Sequence, residues 1–290
     1  MIPAPFTYQR ATSVDEALSL AAQGGDDAKY LAGGHSLLPL MKLRLAVPEV
    51  LIDIGRLSEL SYVREQDGHI AVGALTSHHD VTNSSLLGSE LPLLAHAAGQ
   101  VGDPQIRHRG TIGGSLVHSD PAGDLPAVIL VLDATLVARG PAGTREIPAG
   151  EFFEGLFETA LAPGELLTEI RIVIRPGCGS AYEKVLRRVG DWPIGAAAAA
   201  VRLSGDRIAE AGIGLAAVGA RNFAAAEAEA MLRGAPATEA TLARAGEIAA
   251  EHCRPSSDQR GPADYKRHLA SELTVRALRR AVRRARGEDA

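Results

Sequence analysis

The chain has 290 residues, 46% of them hydrophobic and only 4% aromatic, with a formal net charge of −5. That length allows one large domain or two to three smaller ones with cores of Ala, Val, Leu and Ile, and the composition excludes a disordered chain. The charge balance gives no general affinity for nucleic acid, two cysteines cannot ligate an iron–sulfur cluster alone, and no apolar run is long enough to span a bilayer. In chain order, the opening MIPAPFTYQRATSVDEA shows no basic segment followed by an apolar one, so a cytoplasmic location is expected. Ser13-Val-Asp-Glu16 has the spacing of a capping box and predicts a helix through Ala22, closed by Gly24 and Gly25. A strand over Ala28–Ala32, a turn at Gly33–Ser36, a helix over Leu37–Leu45 and a strand at Val50–Ile54 follow. Asp67-Gly68 predicts a hairpin with a tight primed turn between Tyr62–Glu65 and His69–Gly73.

Helices are expected at Val81–Leu87 and Leu91–Val101, then a polar loop over Gly102–Gly110. A helix at Pro126–Leu132 precedes strands at Ala134–Arg139 and Glu169–Arg175. Pro176-Gly-Cys-Gly-Ser180 breaks both kinds of element and marks a domain boundary. It divides residues 1–176, with subdomains of about 1–58 and 59–176, from residues 177–290. Beyond it, Ala181–Arg188, Gly195–Leu203 and Arg207–Val218 read as an antiparallel meander with a turn at Ser204-Gly-Asp206. The alanine run Ala196–Ala200 has helical propensity, but the turn residues on both sides leave no room for a helix, and its small side chains let another element pack close. Helices over Phe223–Arg233, Glu239–His252 and Ala263–Arg286 complete the chain. The basic run RRAVRRAR at Arg279–Arg286 reads as a solvated helix face, with a docking surface for an acidic partner as the sharper alternative.

Several motifs resemble chemistry without its context. Gly212-Ile-Gly-Leu-Ala-Ala217 matches a dinucleotide fingerprint, but it lies inside a strand instead of between a strand and a helix. His78-His79-Asp80 has no further metal ligands at a recognisable spacing, so Thr76 or Ser77 capping a helix is the better account, and no metal site is expected. No nucleophile elbow and no P-loop lysine motif occur. The two glycine pairs differ from these. Ala32-Gly-Gly-His-Ser36 follows a strand and precedes a helix, and Thr111-Ile-Gly-Gly-Ser115 offers the same equipment about eighty residues on. Glycine lets a ligand approach the backbone, and successive N–H groups bind anions, phosphate above all. Each pair alone fits a tight structural turn; together they suggest a pyrophosphate gripped from two sides. Asp124, before an apolar run, reads as a helix cap.

At AGGHSLLPLM and TIGG…DPAGDLPA the sequence resembles the flavin-binding medium subunits of the molybdenum hydroxylase family, above all their aerobic carbon monoxide dehydrogenase branch. The likeness extends to MIPAPFTY, DPQIRHRGTIGG, EKVLRRVGDW and GPADYKRHLA, and so runs over the full chain. It implies an α+β, vanillyl-alcohol-oxidase-like (PCMH-type) FAD-binding fold, with two N-terminal α/β subdomains and a C-terminal antiparallel sheet with a helix bundle. It implies FAD as cofactor, with the pyrophosphate held by Ala32, Gly33, Gly34, His35, Ser36 and Leu37 and by Thr111, Gly113, Gly114 and Ser115. Asp120 would contact the ribitol or ribose, and Lys184 and Trp192 would line the isoalloxazine. Ser115 stands where the family often has Asn, and Trp192 where it often has Tyr. The implied partners are a large molybdopterin subunit and a small [2Fe–2S] subunit, in a dimer of heterotrimers. Electrons would pass from the small subunit's clusters to FAD and on to an external acceptor, with no catalytic acid or base in this chain. A free-standing flavin oxidase of the same fold and a non-redox nucleotide-binding module are the alternatives.

Overall fold

The structure is a computed structural model that describes residues 2–288. Its fold is α+β, built on three main sheets. The first sheet has three parallel strands, with Val50–Asp53 between Thr7–Arg10 and Ala28–Leu31. The helix Val14–Gly24 covers one face, burying Val14, Ala17 and Ala21 against Ile52 and Ile54. Its start is fixed by Ser13 Oγ, which accepts from Glu16 N at 3.1 Å. The Glu16 carboxylate reaches back one residue further than in the usual box, accepting from Thr12 N at 2.7 Å.

The second sheet is antiparallel, in the order Val63–Gln66, His69–Gly73, Leu166–Val173, Thr135–Gly140, Gly143–Pro148. Asp67 and Gly68, at φ of 49° and 78°, make the expected primed turn. The third sheet is also antiparallel, in the order Cys178–Val185, Gly195–Ser204, Arg207–Ala216, Phe223–Ala224. Its alanine run is strand, buried on both faces. Ala196, Ala198 and Ala200 join the core of the second sheet and the helix Asp124–Val131. Ala197 and Ala199 join the core under the helices Glu239–His252 and Ala263–Ala285.

Glycines let helices press directly on this third sheet. A Cβ on Gly214 would fall closer than 3.0 Å to the Ala127 carbonyl oxygen, and one on Gly179 equally close to the Ala281 carbonyl oxygen. Real Cβ atoms are essentially never found at such distances from backbone. The glycines of the apparent dinucleotide fingerprint therefore seat the helix Asp124–Val131. Gly214→Val should lower unfolding stability by about 1–3 kcal/mol, the usual cost of overpacking. The urea midpoint, compared with that of Gly88→Ala, where an added Cβ would meet nothing within 4 Å, measures it.

Several elements differ from the sequence expectation. Gly102–Gly110 contains a helix, Pro104–Arg109, capped by Asp103 Oδ1 on Ile106 N at 3.0 Å. The expected helix at Val81–Leu87 is two, His78–Asn83 and Ser85–Glu90, each capped by a serine hydroxyl. Thr7–Arg10 and Gly143–Pro148 are strands that no pattern announced. In the basic run, Arg279 binds Glu239, Arg280 pairs with Glu183, and Arg284 donates to the Ser180 carbonyl at 2.7 Å, so this end of the last helix is tied to its neighbours. Among the described residues no helix is long and apolar enough to cross a membrane.

Candidate functional site

The two glycine segments abut. The loop Ala32–Ser36 leaves the strand Ala28–Leu31 and enters the helix Leu37–Leu43. Gly34 sits at φ 79°, a left-handed conformation that favours glycine. A Cβ on Gly33 would run into the Arg109 carbonyl oxygen and lie 2.9 Å from Gly110 Cα, so backbone rests on backbone here. The second segment opens a helix, Ile112–His118, whose cap is Thr111. Gly113 is buried because a Cβ would meet Ala74 Cβ at 2.6 Å, whereas Gly114 is exposed and looks outward.

The amides of the two segments differ. Gly113 N donates to Ala74 O at 2.8 Å, Gly114 N to Thr111 Oγ1 at 3.1 Å, and Ser115 N to Thr111 O at 3.0 Å. The amides of Gly33, Gly34, His35 and Ser36 have no acceptor among the described residues. The first loop therefore presents the free donors, and the second supplies a glycine surface with no side chain to fill it. His35 is held by Nε2 at 3.3 Å from the Gln105 carbonyl.

Beneath the junction lies His78, which is 4% exposed. Its amide donates to Gly110 O at 3.0 Å, and a Cβ on Gly110 would lie 2.9 Å from its ring Cδ2. Its Nδ1 is buried without a partner among the described residues. Burial, and then the nearby positive charges of Arg107 and His35, lower its pKa to about 4.

Further along, Asp120 Oδ1 accepts from Ala122 N at 2.8 Å and so closes its own turn. Asp120, Pro121 and Ala122 line one wall of a cavity of about 180 Å³, faced by Pro193 and Ala217 from the C-terminal layer. Trp192, which precedes Pro193 in the chain, is 46% exposed, and its amide donates to Asp191 Oδ1 at 2.9 Å. Lys184 is placed differently: its side chain is 4% exposed and its ammonium lies 3.0 Å from the Asp124 carboxylate and 3.2 Å from Gln100 O. The expected cap at Asp124 is not formed, since its carboxylate faces Tyr182 and Lys184 while Gly123 occupies the cap position. Sequence reasoning missed Asp124 in this role, as well as His78; a buried acid beside a lysine 60 residues away leaves no local signal. Among the described residues no cluster of side chains suits a metal ion.

Two family models together match most of the chain. Residues 4–172 match an FAD binding domain in molybdopterin dehydrogenase, and residues 180–281 match the CO dehydrogenase flavoprotein C-terminal domain. The chain is 43% identical to the carbon monoxide dehydrogenase medium chain of Hydrogenophaga pseudoflava, over 97% of this chain and 98% of that one. It is 37% identical to the glyceraldehyde dehydrogenase medium chain of Sulfolobus acidocaldarius, over 96% of this chain and 99% of that one. Its fold superposes on the solved carbon monoxide dehydrogenase of Hydrogenophaga pseudoflava with a TM-score of 0.96 and 44% identity, covering 98% of this chain and 99% of that one. The chain belongs to the FAD-binding medium-chain family of molybdopterin dehydrogenases. It is a flavoprotein oxidoreductase subunit of the carbon monoxide dehydrogenase-like kind, and its cofactor is FAD. Free backbone amides beside an exposed glycine are the kind of donor set that suits the phosphates of such a cofactor.

Proposed function

We propose that this chain clasps FAD between its two glycine segments and relays electrons within a cytoplasmic molybdenum hydroxylase complex. In this reading a large molybdopterin subunit oxidises substrate, and a small subunit's [2Fe–2S] clusters deliver electrons here for transfer to an external acceptor. Two such heterotrimers would pair. The relatives' names include assemblies that act on carbon monoxide and on glyceraldehyde, which fits substrate being chosen on another subunit.

The observation that carries the proposal is the seating of Gly33 on the Arg109 carbonyl, at the start of four successive amides with no acceptor among the described residues. Gly33, Gly34, His35 and Ser36 would donate to the pyrophosphate, with Ala32 and Leu37 flanking them. Thr111, Gly113, Gly114 and Ser115 would form the opposite wall, with the Ser115 hydroxyl as a further donor. Asp120 would meet the ribitol or ribose, and Lys184 and Trp192 would line the isoalloxazine ring. Bound FAD supplies one-electron uptake and two-electron release, while the protein supplies binding, orientation and electrostatics.

The test is anaerobic. A chain loaded with FAD should lose its flavin absorption on mixing with the reduced small subunit, and should oxidise no alcohol or aldehyde by itself. Turnover by the isolated chain would establish the oxidase instead. A chain that takes up no FAD even with its partners would refute the clasp.

A further inference from the structure

The cavity of about 180 Å³ walled by Asp120, Pro121 and Ala122 is also lined by two cations, Arg260 and Lys266. They lie between the helix Glu239–His252 and the first turn of the helix Ala263–Ala285. The volume is far above the about 10–15 Å³ that admits one water. The two cations are not equally satisfied. Lys266, 4% exposed, donates to Ser256 O at 3.0 Å and pairs with Asp258 Oδ2 at 2.8 Å. The other oxygen of Asp258 accepts from Arg260 N at 2.8 Å, and the backbones of Asp258 and Gly261 exchange two bonds of 3.1 Å. Asp258 is thus taken up by the lysine and by the turn that carries Arg260. The Arg260 guanidinium has one ion pair among the described residues, at 3.8 Å to Asp191 Oδ1, which is longer than a hydrogen bond. That oxygen already accepts from Trp192 N at 2.9 Å, and the other accepts from Arg187 at 3.1 and 3.2 Å. Arg260 Nε is buried without a partner among the described residues.

A buried donor without an acceptor leaves its lost hydration uncompensated. The planar fork of a guanidinium matches the two oxygens of a carboxylate. The rest of the lining narrows the choice. Asp120 keeps its negative charge in the same cavity: its Oδ1 accepts from Ala122 N at 2.8 Å, and it pairs with neither cation. It repels a second carboxylate on the same ligand. Pro121, Leu156 and Pro193, which also line the cavity, suit a short apolar body.

We propose that this cavity binds a small monocarboxylate, whose carboxylate takes the Arg260 fork and whose apolar end lies against Pro121, Leu156 and Pro193. The inference stands without the FAD reading, and none of the residues Gly33–Ser36 or Thr111–Ser115 lines the cavity. Asp120 is common to both readings, so the site adjoins the clasp without being part of it. Its occupant bridges the segment Asp120–Ala122 of the first half of the chain and Arg260 of the second. Such a ligand binds the folded chain alone and so favours it.

The experiment is calorimetric titration of the full-length chain, with and without added FAD. The probes are sodium propionate, propionamide and sodium malonate, with sodium chloride at matched ionic strength as the blank. Propionate should bind, with the neutral amide and the dicarboxylate at least tenfold weaker. Arg260→Gln should weaken propionate roughly 10- to 140-fold, the worth of a hydrogen bond to a charged group. Asp120→Asn keeps an oxygen for Ala122 N and should bring malonate to the affinity of propionate. This pattern, the same with and without FAD, supports the inference. No propionate binding, equal binding of propionamide, or an unchanged affinity in Arg260→Gln overturns it. Propionate binding that is lost on loading FAD overturns it too, because the cavity then belongs to the FAD site. A chain that takes up no FAD refutes the clasp alone, and the titrations of the bare chain still decide this site. Should Arg260→Gln fail to fold, Asp120→Asn decides: gained malonate binding supports the inference, and continued refusal of malonate overturns it.

Discussion

Gly33→Val should strip FAD from the chain, with retention roughly 5- to 150-fold weaker than wild type. The added Cβ would overlap the Arg109 carbonyl oxygen, and neither backbone can rotate away as a side chain could. The loop must lift, which displaces the free amides of Gly33–Ser36 from their positions in this fold. Overpacking of this kind costs about 1–3 kcal/mol, and each 1.4 kcal/mol taken from binding is about tenfold in affinity. Gly114→Val makes the informative contrast. Its nearest neighbours would be the Thr111 hydroxyl at 2.8 Å and Ala32 Cβ at 4.0 Å, so the chain should fold at a loss of about 1 kcal/mol for the disturbed cap. It should nonetheless lose FAD, because its side chain enters the cleft. Flavin absorbance per chain after gel filtration, set beside the unfolding midpoint, separates the two effects. Either variant with a full complement of FAD would show that the clasp lies elsewhere.

Acid should loosen the same junction. His78 titrates at about 4 in the folded chain against an ordinary 6.5. Between those values the unfolded chain takes up a proton that the folded chain refuses, so stability falls as pH falls through this window. It is undiminished above about pH 6.5, and the full loss, about 3 kcal/mol, is reached below about pH 4. Carboxylates held low by their partners, such as Glu165 beside Arg145, also lose stabilisation on acidification. The comparison must therefore be with His78→Leu, which keeps an apolar side chain under Gly110 and cannot titrate. Urea midpoints at pH 7.5 and 4.5 should fall further apart in wild type than in that variant. Parallel falls would show that His78 is not the acid-sensitive group.

The order of elements was mostly legible in the sequence because it rests on local signals. Ser13 with Glu16, Asp67 with Gly68, and the span Glu239–His252 are each set by neighbours a few residues apart. The helix Pro104–Arg109 was legible too, since Asp103-Pro104 is a cap followed by proline in the first turn, although its polar composition also suits a loop. What the glycine segments do was only half legible. Their composition suggested equal partners, whereas the amides of the second segment donate to Ala74 and Thr111, and those of the first have no acceptor among the described residues. Contacts such as Gly33 on Arg109, Gly214 on Ala127 and Lys184 on Asp124 join residues 60 or more positions apart. No periodicity records such a pairing, so these had to await the fold.

The bare strand surface at Gly212 and Gly214 has a consequence for how the chain is made. Strands of alanine and glycine carry little apolar area of their own, and glycine inside a strand weakens it. The C-terminal sheet can bury that face only under the helix Asp124–Val131, which leaves the ribosome some seventy residues before the sheet begins to form its central hairpin. The earlier half thus serves as a template during synthesis, and the later half acquires its packing by laying itself on a surface already waiting for it.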